Sequence, residues 1–345
     1  MDGVLAIPRL LVDLGAYLLL VMPDLLPIIL ALATPIALGA LCGVINERSG
    51  VVNIGIEGIM LTAAFTGYLT GFALHEAVGS ATALWLGIAV AVLTGAILGL
   101  FHAWLCVTVR ADQIIAGTIL NIAAFGLTGY LNRLIITPSG LGGAGVIPTL
   151  SLPDSITSLP LVGPLVAMFF EQGPIAMSVL FLVIGLQILL FRSRWGLRTR
   201  AVGEHPRAAD TVGIDVFRLR YRNVIAGCAL AGLAGAYLTL ESTGSFQNGM
   251  TGGRGFIALA AMIFGRYTPI GSFGGALLFG AITALGIVVN VRPPEGDLGT
   301  LMTGIPSFWY AALPYLVTIV ILAGVVGRSR PPAADGIPYV KEGRA

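Results

Sequence analysis

Long apolar runs recur from one end of this 345-residue chain to the other, and their length limits the folds that it can adopt. Runs of about 18 to 25 residues have the length that a helix needs to cross a hydrocarbon core of roughly 30 Å. A strand-based barrel would instead alternate polar and apolar residues in segments of about 10. The sequence therefore predicts an all-α fold, a polytopic bundle of transmembrane helices.

The composition agrees with that prediction, since 56% of the residues are hydrophobic and only 10% are charged, whereas a soluble domain is roughly 25% charged. We predict about 8 to 10 spans from the apolar runs. They lie near 4–22, 24–45, 52–74, 82–106, 114–136, 174–191, 223–241, 255–264, 271–290 and 307–327. The segment 255–264 is short for a full crossing.

The basic residues indicate an orientation for these spans. If the N-terminus is cytoplasmic, the inner loops hold most of the lysine and arginine, including eight arginines between 192 and 222. Loops on the cytoplasmic side of a membrane carry such an excess. We therefore expect both termini in the cytoplasm.

The sequence predicts one transmembrane domain over 1–345, with a long inner loop at 192–222 and a C-terminal tail at 328–345. In the inner loop, Pro206 suits the first turn of a helix and Gly213 suits the left-handed residue that ends one. We expect a short helix at 204–213. The loop is either a docking surface for a cytoplasmic partner or an anchor that only sets topology.

Two polar residues enter the third predicted span together. Asn53 and Glu57 are four residues apart in a segment predicted to be helical, so we expect them to share a face. An ionisable group at membrane depth is unfavourable unless it faces a polar interior, which makes Glu57 a candidate functional residue. The alternative is a buried hydrogen bond between packed helices.

A second polar stripe follows in the span at 114–136. Thr118, Asn121, Phe125, Thr128 and Asn132 recur at helical spacing on one face of an otherwise apolar segment. This face could line a pathway for a neutral solute that forms hydrogen bonds. It could equally hold neighbouring helices together.

The stretch at 241–275 contains too many glycines for an ordinary span. Non-helical backbone at membrane depth persists only inside protein or beside a water-filled cavity. The sequence therefore predicts a broken or re-entrant helix near 255–270. A glycine-rich outer loop followed by tight packing is the alternative.

Several kinds of chemistry lack their residues here. Lys341 is the only lysine, so the chain has no GxxxxGK[ST] phosphate loop and we expect no ATP hydrolysis by it. No catalytic set or metal-ligand spacing is recognisable, so we expect neither an enzyme nor a bound metal or cofactor. Cys42, Cys106 and Cys228 are interpreted as packing residues.

Four segments together resemble a known family. They are ERSGVVNIGIEG at 47–58, ADQIIAGTILN at 111–121, WGLRTRAVGEHPRAADTVGI at 195–214 and GRGFIALAAMIFGRYTPIGSFGGALLFG at 253–280. In this order they resemble the permease subunits of bacterial ABC importers in the branched-chain amino acid, ribose and nucleoside group. The first and last are most similar to the nucleoside, or simple sugar, branch.

That resemblance implies a function and a set of partners. It implies a permease subunit of the inner membrane that forms a pathway for nucleoside uptake, with Asn53, Glu57, Thr118, Asn121 and Phe125 as candidate pathway residues. The implied partners are an ATP-binding subunit carrying ATP and magnesium, a second related permease and an extracytoplasmic substrate-binding lipoprotein. Membrane lipids surround the chain, and no nucleic acid is implied.

The same resemblance implies a contact with the ATPase. The coupling segment of the family corresponds here to Gly203, Glu204, Pro206, Ala209 and Gly213. Ribose, another simple sugar or branched-chain amino acids remain alternative solutes. A secondary transporter or channel that works without an ATPase is the alternative from another class.

Overall fold

The structure is a computed structural model that describes residues 2–139, 145–157, 159, 162–320 and 329–341. Within these ranges the regular secondary structure is helical throughout, and no strand occurs. The prediction of an all-α helical bundle is therefore confirmed.

Fourteen helices can be numbered along the described chain, three of them extended by π-helical turns. They are α1 (Asp2–Glu47), α2 (Ile56–Val78), α3 (Ser80–Ala103, continued by Trp104–Val109), α4 (Gln113–Leu131, continued by Asn132–Ile136 and Thr137–Ser139), α5 (Asp154–Thr157), α6 (Val162–Phe170), α7 (Pro174–Arg192), α8 (Arg194–Glu204), α9 (Pro206–Thr211), α10 (Val216–Ala236, continued by Tyr237–Thr243), α11 (Arg254–Phe264), α12 (Pro269–Val291), α13 (Gly296–Thr303) and α14 (Ser307–Val320).

Six of the described helices are long and apolar enough to cross a membrane, or up to seven if the bent pair near the C-terminus is one span. That count considers only the length and apolar composition of the described helices, and it leaves out α2 and α11, which lie at two of the predicted spans. Helix α2 has 23 residues but is not among the six, because its threonines, Glu57, His75 and Glu76 make it more polar. The short helix α11, with 11 residues, lies where a broken segment is predicted.

The N-terminal part differs most from the sequence prediction. The expected spans at 4–22 and 24–45 are one continuous helix, α1, in which Pro23 and Pro27 lie without a break. A proline removes one backbone hydrogen bond, but an apolar environment favours keeping the remaining ones inside a helix. Two apolar runs separated by Met22, Pro23 and Asp24 therefore do not require a turn.

The described residues group into two compact units. The first comprises 1–33, 149–172 and 277–327, and its core contains Tyr17, Val21, Val288 and Tyr310. Its hydrogen bonds include the Tyr17 hydroxyl donating to the carbonyl of Arg292. That one domain extends over 1–345 stays a prediction.

The second unit comprises 34–148, 173–276 and 328–345, and its centre is a close packing of α2, α3 and α10. Small residues allow this approach: a Cβ added to Gly95 would lie 2.3 Å from the carbonyl oxygen of Cys228. Cys42, Cys106 and Cys228 are buried, as predicted for packing residues. All the polar side chains described next belong to this unit.

Candidate functional site

The chain is not helical at 48–55, between α1 and α2, and polar side chains satisfy the backbone of residues 51–55. The N–H of Val52 donates to Oε1 of Gln113 at 2.7 Å, and Nε2 of His102 lies 3.1 Å from the carbonyl oxygen of Val52. The N–H of Gly55 donates to Oδ1 of Asn53 at 3.0 Å. We name this non-helical segment, residues 51–55, the first break.

Asn53 is therefore not on a helix, which corrects the expectation that it shares a helical face with Glu57. Its side-chain oxygen forms a local turn by accepting the N–H two residues ahead, a bond that competes with helix formation. Its amide nitrogen lies 3.2 Å from the buried sulfur of Cys228. Asn53 thus shapes the first break and ties it to α10.

Asn121 on α4 holds the same break from the other side. Its Oδ1 accepts the N–H of Gly58 at 2.8 Å, and its Nδ2 donates to the carbonyl oxygen of Ile54 at 3.0 Å. Gly117, one turn earlier on α4, lies so close that a Cβ there would be 2.7 Å from the nitrogen of Gly55. Helix α4 and the first break are therefore in direct backbone contact.

The chain is also non-helical just before α11, where Gly252 and Gly253 have φ angles of +55° and +81°. We name these two residues, 252–253, the second break. Glu57, which is fully buried, accepts the N–H of Gly253 at 2.7 Å and that of Gly255 at 2.6 Å. A carboxylate at this position satisfies two of the N–H groups that a helix N-terminus leaves unpaired and interacts favourably with the helix dipole. Glu57 therefore caps α11 and joins the two breaks.

Contacts along α11 show how far this helix extends from the junction. A Cβ on Gly39 of α1 would be 2.9 Å from that of Ala258, and Nε of Arg48, just after α1, donates to the carbonyl of Tyr267 at 2.8 Å. Helix α11 thus runs from Glu57 to the level of Arg48, about 16 Å for 11 residues. That is about half of a hydrocarbon core of roughly 30 Å.

The polar stripe on α4 is divided by the structure. Asn121, Thr128 and Asn132 are buried, whereas Thr118 and Phe125 are exposed. A helix turns by about 100° per residue, which places Thr118 and Phe125 at one edge of the stripe. The boundary between buried and exposed residues therefore passes through the stripe. The sequence shows the stripe but not where its boundary falls.

Phe125 at the exposed edge lies beside the loop that leads to the second break. A Cβ on Gly249 would be 3.2 Å from its ring, and Asn248, the preceding residue, accepts a hydrogen bond from Asn132 at 2.9 Å. Of the five predicted pathway residues, three thus hold backbone together, and Thr118 and Phe125 face outward. Their roles in a pathway stay predictions.

The inner loop contains two helices, of which α9 lies within the predicted helix at 204–213 and α8 precedes it. Helix α8 ends at Glu204 and α9 begins at Pro206, with His205 between them. Pro206 occupies the first turn and Gly213 has a φ of +84°, both as predicted. Proline has no N–H to continue the helix before it, so the chain restarts rather than continuing.

The residues matched to the coupling segment have different surroundings. Gly203 is buried against the loop after α1, since a Cβ there would be 2.3 Å from the carbonyl oxygen of Arg48, and Ala209 lies on the buried side of α9. Glu204 and Gly213 are exposed, as is the neighbouring Arg207. Part of the predicted set therefore positions α9, and part of it contributes to the exposed surface around this helix.

Two further buried charged residues escape prediction from the sequence. Glu241 accepts the N–H groups of Ile175 and Ala176 at 2.7 and 3.0 Å and so caps α7 as Glu57 caps α11. Arg220, with no exposed surface, donates through Nε to the carbonyl of Ser49 at 3.0 Å. Glu241 is the only charged residue between Arg222 and Arg254, which is a local signal, whereas Arg220 lies between Arg218 and Arg222 and nothing in the sequence marks it as buried.

Comparison with known proteins gives a consistent result. Residues 25–327 match the family model described as "Branched-chain amino acid transport system / permease component". The guanosine ABC transporter permease protein NupQ of Bacillus subtilis (strain 168) is 37% identical over 323 residues, which cover 92% of this chain and 96% of that protein.

Two other relatives are similar over most of their length. The nucleoside ABC transporter permease protein NupC of Lactococcus lactis subsp. cremoris (strain MG1363) is 37% identical, over 90% of this chain and 94% of its own. The putative glucose ABC transporter permease protein TsgC13 of Haloferax volcanii is 35% identical, over 86% and 90% respectively.

Proposed function

The chain belongs to the family of branched-chain amino acid transport system permease components, and from that membership we propose that it forms part of the pathway of an ABC importer for nucleosides. The observation that carries the choice of solute is the pair of relatives named for guanosine and nucleosides, each matched over at least nine tenths of both chains. A match of that extent includes both the candidate pathway residues and the inner loop at 192–222.

The exposed edge of the α4 stripe suits such a solute. A nucleoside is neutral, has a flat base and displays several hydroxyl groups. Phe125 offers an aromatic face, and Thr118 and the exposed Asn248 offer polar groups on the same side of the unit. Stacking on an aromatic ring with a few polar contacts is a usual way to bind a flat polar solute.

The energy comes from a separate ATP-binding subunit in this proposal. Helix α9 contacts that subunit, and ATP-driven closure moves the corner that α8, α9 and the start of α10 form. Gly203 passes the movement to the loop after α1, against whose backbone it lies, and so toward the first break. ATP hydrolysis is coupled to transport only if α9 contacts the open and closed states of the ATP-binding subunit differently.

The remaining parts of the assembly follow from the same proposal. A second, related permease completes the pathway, and a substrate-binding lipoprotein delivers the solute outside. The membrane is the inner membrane of a bacterium, with both termini in the cytoplasm, because that orientation places the arginines of 192–222 inside.

Uptake in cells tests the proposal. We would express the chain with its neighbouring permease, ATPase and lipoprotein and measure accumulation of labelled nucleosides, glucose, ribose and leucine. The matched control carries an ATPase that cannot hydrolyse ATP. We expect nucleoside accumulation that the control abolishes, whereas nucleoside uptake that does not depend on ATP hydrolysis would refute the coupling.

A sugar is the second candidate solute, and one observation favours it. TsgC13, named for glucose, is 35% identical to this chain, close to the identity of the nucleoside relatives. Accumulation of glucose or ribose in place of nucleosides would keep the importer and change its solute.

A further inference from the structure

The C-terminal tail lies outside the family match at 25–327, yet it is folded onto the cytoplasmic corner. The N–H of Ala334 donates to the carbonyl of Gly203 at 2.8 Å, and the N–H of Ala333 donates to Oε2 of Glu204 at 3.1 Å. At the other end, Nζ of Lys341 lies 3.4 Å from Oδ1 of Asp210 on α9. The tail therefore follows α8 and α9 from one end of the corner to the other.

A buried aromatic side chain anchors this tail. Tyr339 is 6% exposed and packs with Val202, Ala209 and Val216, which come from α8, α9 and α10. Nη1 of the buried Arg220 donates to the carbonyl of Ile337 at 3.0 Å. The tail is thus held in one place before any partner arrives, and a preformed surface loses less entropy on binding.

A groove of about 460 Å³ runs between the start of α9 and the tail. Residues 205–208 form one wall and residues 337–340 the other. The rim exposes apolar side chains, since Ile337 is 57% exposed and Val340 is 47% exposed. Arg207 lines the groove and Lys341 directly follows Val340, and both are exposed, so these apolar groups have charged neighbours.

We infer that the tail and α9 together form the surface on which the ATP-binding subunit docks, with an apolar side chain of that subunit in the groove. This inference rests on the proposed function. The groove is continuous with α9, the helix proposed to contact the ATPase, so the partner of one wall also reaches the other. Exposed apolar side chains with a charged rim are typical of protein interaction sites.

An ion pair also joins the tail to α9 near the groove. Nζ of Lys341 lies 3.4 Å from Oδ1 of Asp210, so the two walls are held together at this point. The tail thereby adds contact area to α9, which has only six residues and is small for a stable interface on its own.

Binding of the purified ATPase to the detergent-solubilised permease complex tests the inference. The variant carries Ile337→Asp and Val340→Asp, two exposed side chains whose change leaves the Tyr339 anchor intact. The control is Pro331→Asp, an exposed tail residue outside the groove. We expect at least a roughly tenfold loss of ATPase affinity in the variant, since apolar anchors dominate such interfaces, and none in the control.

The outcomes separate this inference from the function on which it rests. If the unaltered complex binds the ATPase and the double variant binds it equally well, the tail is not part of the interface and the proposed function stands. Loss of the second permease instead of the ATPase would assign the groove to that partner and overturn the inference. If the unaltered complex binds no ATPase at all, the proposed function fails as well.

Protein stability is measured in parallel, so that unfolding is not taken for lost docking. The melting temperature and the yield of the permease pair should be the same in the double variant and in the control. If the double variant is unstable, the single substitution Val340→Ser replaces it, and unchanged ATPase affinity in that variant would contradict the inference.

Discussion

The carboxylate of Glu57 accepts the N–H of Gly255 at 2.6 Å, joining residues that are 198 positions apart in the chain. Its other oxygen accepts the N–H of Gly253 at 2.7 Å. One buried side chain at the start of α2 therefore holds the start of α11. The breaks before these two helices meet at Glu57, so this carboxylate links them directly.

Replacing that carboxylate should loosen the junction. In Glu57→Gln one acceptor oxygen becomes an NH₂ group, which faces a backbone N–H that then has no partner. We expect the free energy of unfolding to fall by about 1–3 kcal/mol, the usual effect of leaving a buried donor unsatisfied. Thermal unfolding of the purified complex measures it, and Glu76→Gln, an exposed residue on the same helix, is the control.

Uptake measured beside stability decides between two roles for Glu57. A fall in both quantities agrees with the capping role. If Glu57→Gln abolishes uptake while the melting temperature is unchanged, the side chain acts on the solute instead, as expected of a pathway residue.

The two sides of the α4 stripe should respond differently to alanine. Asn121→Ala removes the bonds to Gly58 and Ile54 and should lower thermal stability, because the N–H of Gly58 is buried and the carbonyl of Ile54 is partly buried. Phe125→Ala should leave stability nearly unchanged and reduce nucleoside uptake several-fold, with the loss mainly in apparent affinity. Equal stability losses in the two variants would contradict this division.

Gly203 should not tolerate a side chain. A Cβ there would be 2.3 Å from a backbone oxygen of Arg48 and would require the backbone to shift. Such overpacking typically lowers stability by about 1–3 kcal/mol. Gly203→Ala should therefore reduce the yield and melting temperature of the complex, whereas Gly185→Ala, a helical position with nothing within 4 Å, should not.

The packing of the C-terminal tail against α8, α9 and α10 should depend on pH through Asp335. Burial raises the pKa of this carboxyl from 3.8 to about 6, although a hydrogen bond from Glu47 and the charge of Arg220 lower it. The packed tail therefore favours the protonated acid. The resulting stabilisation of the packed tail is complete below about pH 4 and is lost as the pH rises through about 6.

Hydrogen exchange of residues 331–341 at several pH values tests this dependence. Protection, corrected for the intrinsic exchange rate, should be greater at pH 5 than at pH 7.5. Asp335→Asn cannot ionise and should remove most of the difference. Protection that rises with pH in the unaltered protein would reverse the sign and exclude this account.

Part of the candidate site is visible in local sequence. Pro206 and Gly213 have the conformations that their residue types favour, a first helical turn and a left-handed φ of +84°, because those preferences depend on neighbouring backbone alone. The glycine-rich stretch before α11 likewise indicates a break. The same logic fails for Asn53, whose side chain bonds to its own turn instead of joining a helix.

The same distinction between local and distant interactions separates the features that the sequence predicts from those that it does not. Apolar run length and composition are enough to establish a helical membrane protein, because each span must satisfy its own backbone whatever its neighbours are. They do not establish that Glu57 caps α11 or that Tyr339 anchors the tail against α9. Those features need partners far away in sequence, and only the folded chain brings them within hydrogen-bonding or packing distance.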